Sequence, residues 1–561
     1  MPVNRSIIAY FSMEIGLEPE IPTYSGGLGV LAGDTIRSAA DAGLGMVAVT
    51  LLSRQGYFRQ ELDQDGNQSE HAEAWAVEDR LREMPGRAVV QIEGRDVLIR
   101  AWCYELEGVE GDRVRVFFLD TDLEANAEAD RHLTDQLYHG DERYRLCQEV
   151  ILGIGGIRML RALGYKDVTR YHMNEGHAAL LSLELLAEQV GDGEVKQQHI
   201  DAVRGRCVFT THTPVQAAHD SFSHELVRSV LGDNSVLWEQ ESTFCCDGTL
   251  DLTMLALYNS DYINGVAKRH GEVSRAMYGQ YSVDFITNGV HAASWMSESM
   301  AELLDAHIAD WRHDNLSLRG AIGIPGHEVR DAHRVNKKRL LEYVHGRTGV
   351  LLEEDVLTLG YARRFTAYKR PELFFMDLER LVEIARRSGP IQLVYSGKAH
   401  PRDEPGKALI RLVFEAAKRL RRHIPVVFLE DYGIEQARVI TSGVDIWLNT
   451  PQPPMEASGT SGMKAAINGV PSFSVLDGWW VEGCIEGVTG WSIGEQPPDN
   501  DMDPEVVANQ LYTKLQTVIM PVYYNDFEEF GSIMRASISL NGSFFNTERM
   551  IQEYIAKAYF R

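Results

Sequence analysis

Between residues 356 and 475 the chain alternates short apolar runs with longer amphipathic stretches, and few folds accept that order. The runs Val356–Tyr361, Ile391–Ser396, Val426–Leu429, Val444–Leu448 and Pro471–Val475 have strand length. The stretches Pro371–Arg387, Gly406–Arg421, Ile434–Thr441 and Thr460–Asn468 have helical spacing, with Pro371 in a first turn that tolerates its missing N–H. Strands alternating with helices predict an α/β fold with a parallel sheet covered on both faces. The first half repeats the theme less regularly. It has an apolar strand at Ile7–Phe11, a glycine loop at Ser25–Gly29, a helix from about Asp34 and a strand at Met46–Leu51. Further strands are expected at Val114–Leu119, Val168–His172 and Cys207–Thr211, and residues 300–350 read as a charged helical connector. Two such halves would bind ligands at the carboxyl ends of their strands, in the cleft between them.

Composition narrows the function classes. With 561 residues, several domains are expected. A net charge of −26 argues against nucleic acid and anionic membranes as partners. No apolar run reaches the ~20 residues of a membrane helix, and the opening MPVNRSIIAYFSMEIG is too polar for a secretory signal, so a cytoplasmic protein is expected. The six cysteines show no metal-binding spacing; Cys245 and Cys246 are read as free thiols, since a vicinal disulfide is strained. The sequons at Asn4 and Asn541 are read as chance.

Four groups of residues could carry chemistry. Tyr24-Ser-Gly-Gly-Leu-Gly-Val-Leu-Ala-Gly33 follows a strand and opens a helix, which suits an anion, although a plain tight turn would explain it as well. Its spacing fails the dinucleotide fingerprint. Arg363, Arg364, Lys369 and Arg370 lie in a strand-to-helix loop, where cations oppose the helix dipole unless an anion joins them; phosphate fits. In the segment Pro454–Gly469, Glu456 can accept from sugar hydroxyls, and Ser458, Gly459, Thr460 and Ser461 form a second anion cradle at a helix start. Lys464, one turn inside that helix, makes sense as a neutral amine joined to an aldehyde cofactor. Last come Asn174-Glu-Gly-His177 and Thr210-Thr-His-Thr-Pro214, histidines at strand ends without a convincing metal partner. Asp477-Gly-Trp-Trp480 could wall a sugar site, although aromatic residues more often fill cores.

Taken together, EASGTSGMKAAINGV, SGGLGVLAGD, ARRFTAYKR, SGKAHP and TNGVHAASW closely resemble the pyridoxal-phosphate α-glucan (glycogen, starch, maltodextrin) phosphorylases, and most of all their short bacterial branch. The matches run from about residue 8 to 482. The resemblance implies a GT-B fold, two Rossmann-like domains facing across a catalytic cleft: residues 1–300 on the glucan side, and residues 301–561 on the cofactor side, with the last helices packing back on the first domain. Lys464 aligns with the lysine that holds pyridoxal 5′-phosphate as a Schiff base. Thr460 and Ser461 align with holders of the cofactor phosphate, Gly26 and Gly27 with the glycine loop near both phosphates, and Tyr432 with a tyrosine near the cofactor. Arg364 and Lys369, with Arg363 alongside, align with the phosphate-binding cations. Glu456, Ala457, Ser458 and Gly459 align with the segment that recognises the glucosyl hydroxyls, His212 and Asn288 with residues beside the glucose, and His177 with the acceptor side. Departures are small: the long enzymes have lysine in place of Arg363, Gly-Asn in place of Ser461-Gly462, and Asn-Asp-Thr-His in place of Asn174–His177.

The resemblance implies reversible phosphorolysis of terminal α-1,4-glucosidic bonds, giving α-D-glucose 1-phosphate with retention, the cofactor phosphate serving as proton shuttle. The partners implied are an α-glucan, inorganic phosphate and glucose 1-phosphate, with no metal; the family often forms homodimers. Alternatives are a phosphorylase of another oligosaccharide, a nucleotide-sugar glycosyltransferase of glycogen-synthase type, and a glucan-binding scaffold. A transferase of that type would have no reason to keep Lys464 with its GTSGM cradle. Retaining glycosidases use paired carboxylates about 5 Å apart, and no such pair stands out.

Overall fold

The computed structural model describes residues 7–215, 219–240, 245–246 (backbone), 248–494 and 503–560. The side chains of Cys245 and Cys246, and the sequon at Asn4, lie outside the described residues. Two large sheets organise the chain. The first contains β1 (Ile7–Phe11), β2 (Met46–Leu51), β3 (Arg82–Ile92), β4 (Arg95–Glu107), β5 (Arg113–Asp120), β6 (Val168–Asn174), β7 (Cys207–Thr210), β8 (Tyr262–Gly265) and β9 (Val283–Phe285). Its order is β9-β8-β7-β6-β1-β2-β5-β4-β3. It is parallel from β9 to β5, and β4 and β3 extend it as an antiparallel hairpin that the sequence reading had not anticipated.

The second sheet contains β10 (Leu357–Ala362), β11 (Ile391–Ser396), β12 (Val426–Leu429), β13 (Ile446–Asn449), β14 (Ser472–Val475) and β15 (Gly490–Ile493). Its order is β12-β11-β10-β13-β14-β15 and every pair is parallel. Every residue of β10, β11, β13, β14 and β15 is buried, as two covered faces require. The mixed α/β architecture expected from the alternating pattern is therefore present. No helix among the described residues is long and apolar enough to cross a membrane.

Two helix boundaries differ from the expectation. Helix α1 spans Gly27–Asp41, so the glycine loop is itself the first turns of the helix. Glycine lowers helix propensity, which hid those turns; here close packing demands it. A Cβ on Gly33 would lie 1.9 Å from the Gly16 carbonyl oxygen. Gly33→Ala is expected to destabilise the protein by about 3 kcal/mol or more, read as a lower urea midpoint; an unchanged midpoint would refute this packing. The second difference is at Pro371, which does not start a helix. Arg370 has a left-handed conformation, Leu373–Phe375 is a single tight turn, and α3 (Leu378–Ser388) begins only where the Asp377 carboxylate accepts from Arg380 N at 2.9 Å.

The tail returns to the first sheet. Helix α7 is defined here as Thr547–Tyr554, after α2 (Gly326–Thr348), α4 (Glu404–Leu420), α5 (Ile434–Gly443) and α6 (Thr460–Ile467). Tyr559 Oη lies 2.7 Å from His172 Nδ1, and Tyr554 Oη lies 3.0 Å from Thr210 Oγ1. Burial pushes the His172 imidazole down to about 3, so it stays neutral in the fold. The unfolded chain takes that proton from about pH 6.5 downward. Stability should therefore fall by up to ~1.4 kcal/mol per pH unit from this group as acid is added between 6.5 and 3. Urea titrations at stepped pH check this, with a shallower slope expected for His172→Gln.

Candidate active site

The carboxyl ends of both sheets open onto one cavity of about 580 Å³. From the first sheet come Glu175 and His177 after β6, His212 after β7, Asn288 after β9, and Gly26 and Gly27 at the start of α1. From the second come Arg363, Arg364 and Lys369 after β10, Tyr432 after β12, Glu456–Ser461 after β13, and Lys464 in α6. Every residue to which the resemblance assigns a role thus lines the same cavity. One member of the cationic motif does not: Arg370 is buried and donates to the Thr450 and Pro451 carbonyl oxygens at 2.9 and 2.6 Å. Its guanidinium anchors the backbone there.

Around the cations the geometry is that of an anion site. Arg363 Nη2 donates to Glu456 Oε2 at 2.8 Å, and Lys369 Nζ donates to Glu456 Oε1 at 2.7 Å and Oε2 at 2.5 Å. Burial would raise the Glu456 carboxyl, but the charges of Arg363 and Lys369 outweigh it and hold it at about 2. Glu456, expected as an acceptor for sugar hydroxyls, thus also pairs with these two cations. Nε and Nη1 of Arg363 are buried without a partner, although every buried donor normally finds one. Arg364 is exposed at the wall, and among the described residues no hydrogen bond or ion pair engages it.

Two helices aim their N-termini at this region. Neither Gly26, capping α1, nor Gly459, capping α6 at φ +91°, supplies a side-chain cap, so first-turn N–H groups are left for a ligand. A Cβ on Gly26 or Gly27 would meet nothing within 4 Å, so that side of the loop faces open space. Lys464 is 5% exposed, with Nζ 3.9 Å from the centroid of the Trp295 ring. Burial pushes its amine down to about 8, with Asp34 opposing the shift and Arg438 adding to it.

The opposite wall is polar and preset. Glu175 adopts φ +77°, and its Oε2 accepts from His212 N at 2.7 Å and from Thr213 Oγ1 at 2.9 Å. His212 Nε2 lies 2.7 Å from Asn174 Oδ1, to which it donates, and burial holds the ring neutral. Asn288 Oδ1 and Ser458 Oγ are buried without partners. His177 Nδ1 lies 2.9 Å from Asp220 Oδ2. Glu149, His177 and Asp220 cluster closely enough to bind a cation, but the Arg145 guanidinium sits among them, 2.9 Å from each carboxylate and 3.0 Å from the histidine. Its fixed charge makes that cluster a poor metal site.

Sequence reading missed Glu14, and named Glu175 and Asp477 only within their segments, without the roles they have here. Glu14 Oε2 accepts from Ser25 N at 2.5 Å and Gly26 N at 3.2 Å, tying the glycine turn to the segment that follows β1; its signal is an acid within a buried apolar segment. Glu175 fixes the histidine wall, and a non-glycine residue at positive φ cannot be read from sequence. Asp477 Oδ2 accepts from Glu456 N at 2.8 Å, and burial raises that carboxyl to about 7. Trp479 and Trp480, named as sugar-wall candidates, are instead buried beside the cavity, and neither lines it.

Residues 161–488 match the carbohydrate phosphorylase family. Over 98% of its length the chain is 36% identical to the maltodextrin phosphorylase of Thermococcus litoralis, covering 70% of that protein. It is 33% identical, over 98% of the chain, to the glycogen phosphorylases of Aquifex aeolicus and Mycobacterium tuberculosis, covering 86% and 70% of them. By its sequence along nearly its whole length, the chain belongs to the carbohydrate phosphorylase family.

Proposed function

We propose that this protein is a pyridoxal-phosphate-dependent α-glucan phosphorylase with a GT-B arrangement, residues 1–300 and 301–561 forming the two halves of the cleft. The observation that carries the reading is one cavity holding a buried amine of low proton affinity, two uncapped helix N-termini and three cations. A pyridoxal phosphate fits these residues. Lys464 supplies the amine for its aldehyde, Thr460, Ser461 and the N-terminus of α6 suit its phosphate, and Gly27, Tyr432 and Arg363 enclose it. The unpartnered N–H groups of Arg363 are the kind of donor such an anion would satisfy. When bound, the cofactor supplies a second phosphate that exchanges a proton with the substrate phosphate.

The chain's own residues then have defined tasks. Arg364 and Lys369 hold inorganic phosphate, and Glu456 moderates the positive charge so that the empty site remains stable. The loop Glu456–Gly459, with Gly26, Asn288 and the neutral His212, holds the terminal glucosyl unit; His177 borders the acceptor side. Inorganic phosphate gives its proton to the departing glucosidic oxygen as the C1–O bond breaks. A phosphate oxygen then bonds to C1 on the same face, giving α-D-glucose 1-phosphate and a glucan one unit shorter. Cations and oriented N–H groups stabilise the charge that develops between sugar and phosphate. A homodimer is part of the proposal on family grounds.

Borohydride reduction followed by peptide mapping tests the cofactor assignment. A pyridoxyl-phosphate adduct on Lys464 is expected. The rate at which apoprotein takes up the aldehyde should rise with a midpoint near pH 8, following the lysine amine, rather than near 10.4 for an unperturbed lysine. Absence of an adduct on Lys464 in protein supplied with the cofactor would overturn the reading.

A further inference from the structure

We propose that Glu482 and Arg549, neither of which reaches the cavity, are positioning residues that hold Asn288 in place for the glycosyl unit; this rests on the role given to Asn288 above. Asn288 is 4% exposed and, among the described residues, its Oδ1 has no hydrogen-bond partner, so the position of that oxygen depends on the backbone that carries it. The backbone around it is held from three sides. Asn288 N donates to the Val266 carbonyl oxygen at 3.0 Å. Arg549 Nη2 donates to the Asn288 carbonyl oxygen at 3.1 Å. Next door, Thr287 Oγ1 donates to the Glu482 carboxylate, 3.0 and 2.9 Å from its two oxygens.

Both clamp residues come from beyond the connector, whereas Asn288 belongs to the first half. Glu482 also accepts from Lys268 N at 2.9 Å, at the start of the helix Lys268–Met277, whose own cap residue Ala267 offers no side-chain acceptor. A carboxylate there complements the helix dipole. Arg549 is itself fixed, donating from Nε to the Phe544 carbonyl oxygen at 2.9 Å and from Nη1 to Glu553 Oε1 at 3.0 Å. The tail backbone seals the arrangement. Val290 N donates to the Phe545 carbonyl oxygen at 3.1 Å, and a Cβ on Gly289 would lie 2.2 Å from Asn546 backbone atoms. The Thr287–Val290 strip thus has one seat, and the second half of the chain builds it. Misplacing a substrate-binding group by about 1 Å can cost ~100-fold in rate, so distant ties of this kind can govern activity.

The test is a double-mutant cycle in the full-length, cofactor-loaded protein. Thr287→Val is nearly isosteric and removes only the hydroxyl donor; Glu482→Ala removes the acceptor; Arg549→Met releases the other side. Each is expected to lower kcat/KM for phosphorolysis by about 10- to 100-fold, with melting temperatures showing which variants remain folded. Glu482→Gln, which keeps a carbonyl acceptor, should restore activity to within about threefold of the parent. In an Asn288→Ala background, Thr287→Val and Glu482→Ala should add less than about threefold, because their target is gone. A merely structural tie would reduce activity by the same factor in both backgrounds, and that additivity would overturn the clamp while leaving the phosphorylase reading intact. Full activity in folded Thr287→Val and Arg549→Met variants would also overturn it. If the unmodified loaded protein forms no glucose 1-phosphate, the phosphorylase reading itself fails.

Discussion

Replacing Lys464 with alanine is expected to lower phosphorolysis by at least about 10²–10⁴-fold, the range a positioned proton-transfer system contributes, and to leave the protein without covalently held cofactor. The amine is buried, low in proton affinity and lies over the Trp295 ring, and among the described residues no carboxylate is hydrogen-bonded to it. A lysine kept only for structure would be expected to pair with an acid, as the buried Lys337 does with Asp445 at 2.6 Å. Lys464→Arg should be equally inactive, since a guanidinium stays protonated. Cofactor content after gel filtration and glucose 1-phosphate formation are the two readouts. A Lys464→Ala protein that retains a tenth of the activity would contradict the assignment.

The second large effect separates two neighbouring cations. Arg364→Met should raise the KM for phosphate by about 10- to 100-fold, as expected from losing about 1.5–3 kcal/mol of charged hydrogen bonding, with little change in stability, because no hydrogen bond or ion pair among the described residues depends on it. Lys369→Met should do both kinds of damage. It removes a phosphate ligand, and it strips Glu456 of one of its two buried cations, 2.5 Å away. Breaking a buried pair costs about 3–5 kcal/mol, less here because Arg363 remains at 2.8 Å. Phosphate titrations with urea unfolding distinguish the two variants; equal stability loss in both would contradict the geometry described for Glu456.

How much of this was legible depended on the kind of signal. The strands Ile391–Ser396 and Val426–Leu429 fell where their apolar runs lie; every residue of the first is buried, and the second, at the sheet edge, alternates half-buried and buried positions. The first turns of helix α1 were hidden, since Gly27, Gly29 and Gly33 look like a loop until the contact with Gly16 shows why side chains are excluded. In the site, the cationic loop and the Thr460 helix start announced themselves by charges and glycines in unusual places. What local motifs could not show was long-range pairing. The pairing of Glu456 with Arg363 and Lys369, 93 and 87 residues away, the anchoring of Glu456 by Asp477, and the diversion of Arg370 to backbone carbonyls all require the folded chain.

The central claim is that this cavity transfers a glucosyl unit from an α-glucan to inorganic phosphate with retention. Its most direct test is to incubate the cofactor-loaded protein with maltodextrin, with and without inorganic phosphate, and to follow the products by ¹H and ³¹P NMR. The account predicts α-D-glucose 1-phosphate only when glucan, phosphate and cofactor are all present. Free glucose released without phosphate, a β-configured product, or no sugar phosphate from the fully loaded protein would contradict it.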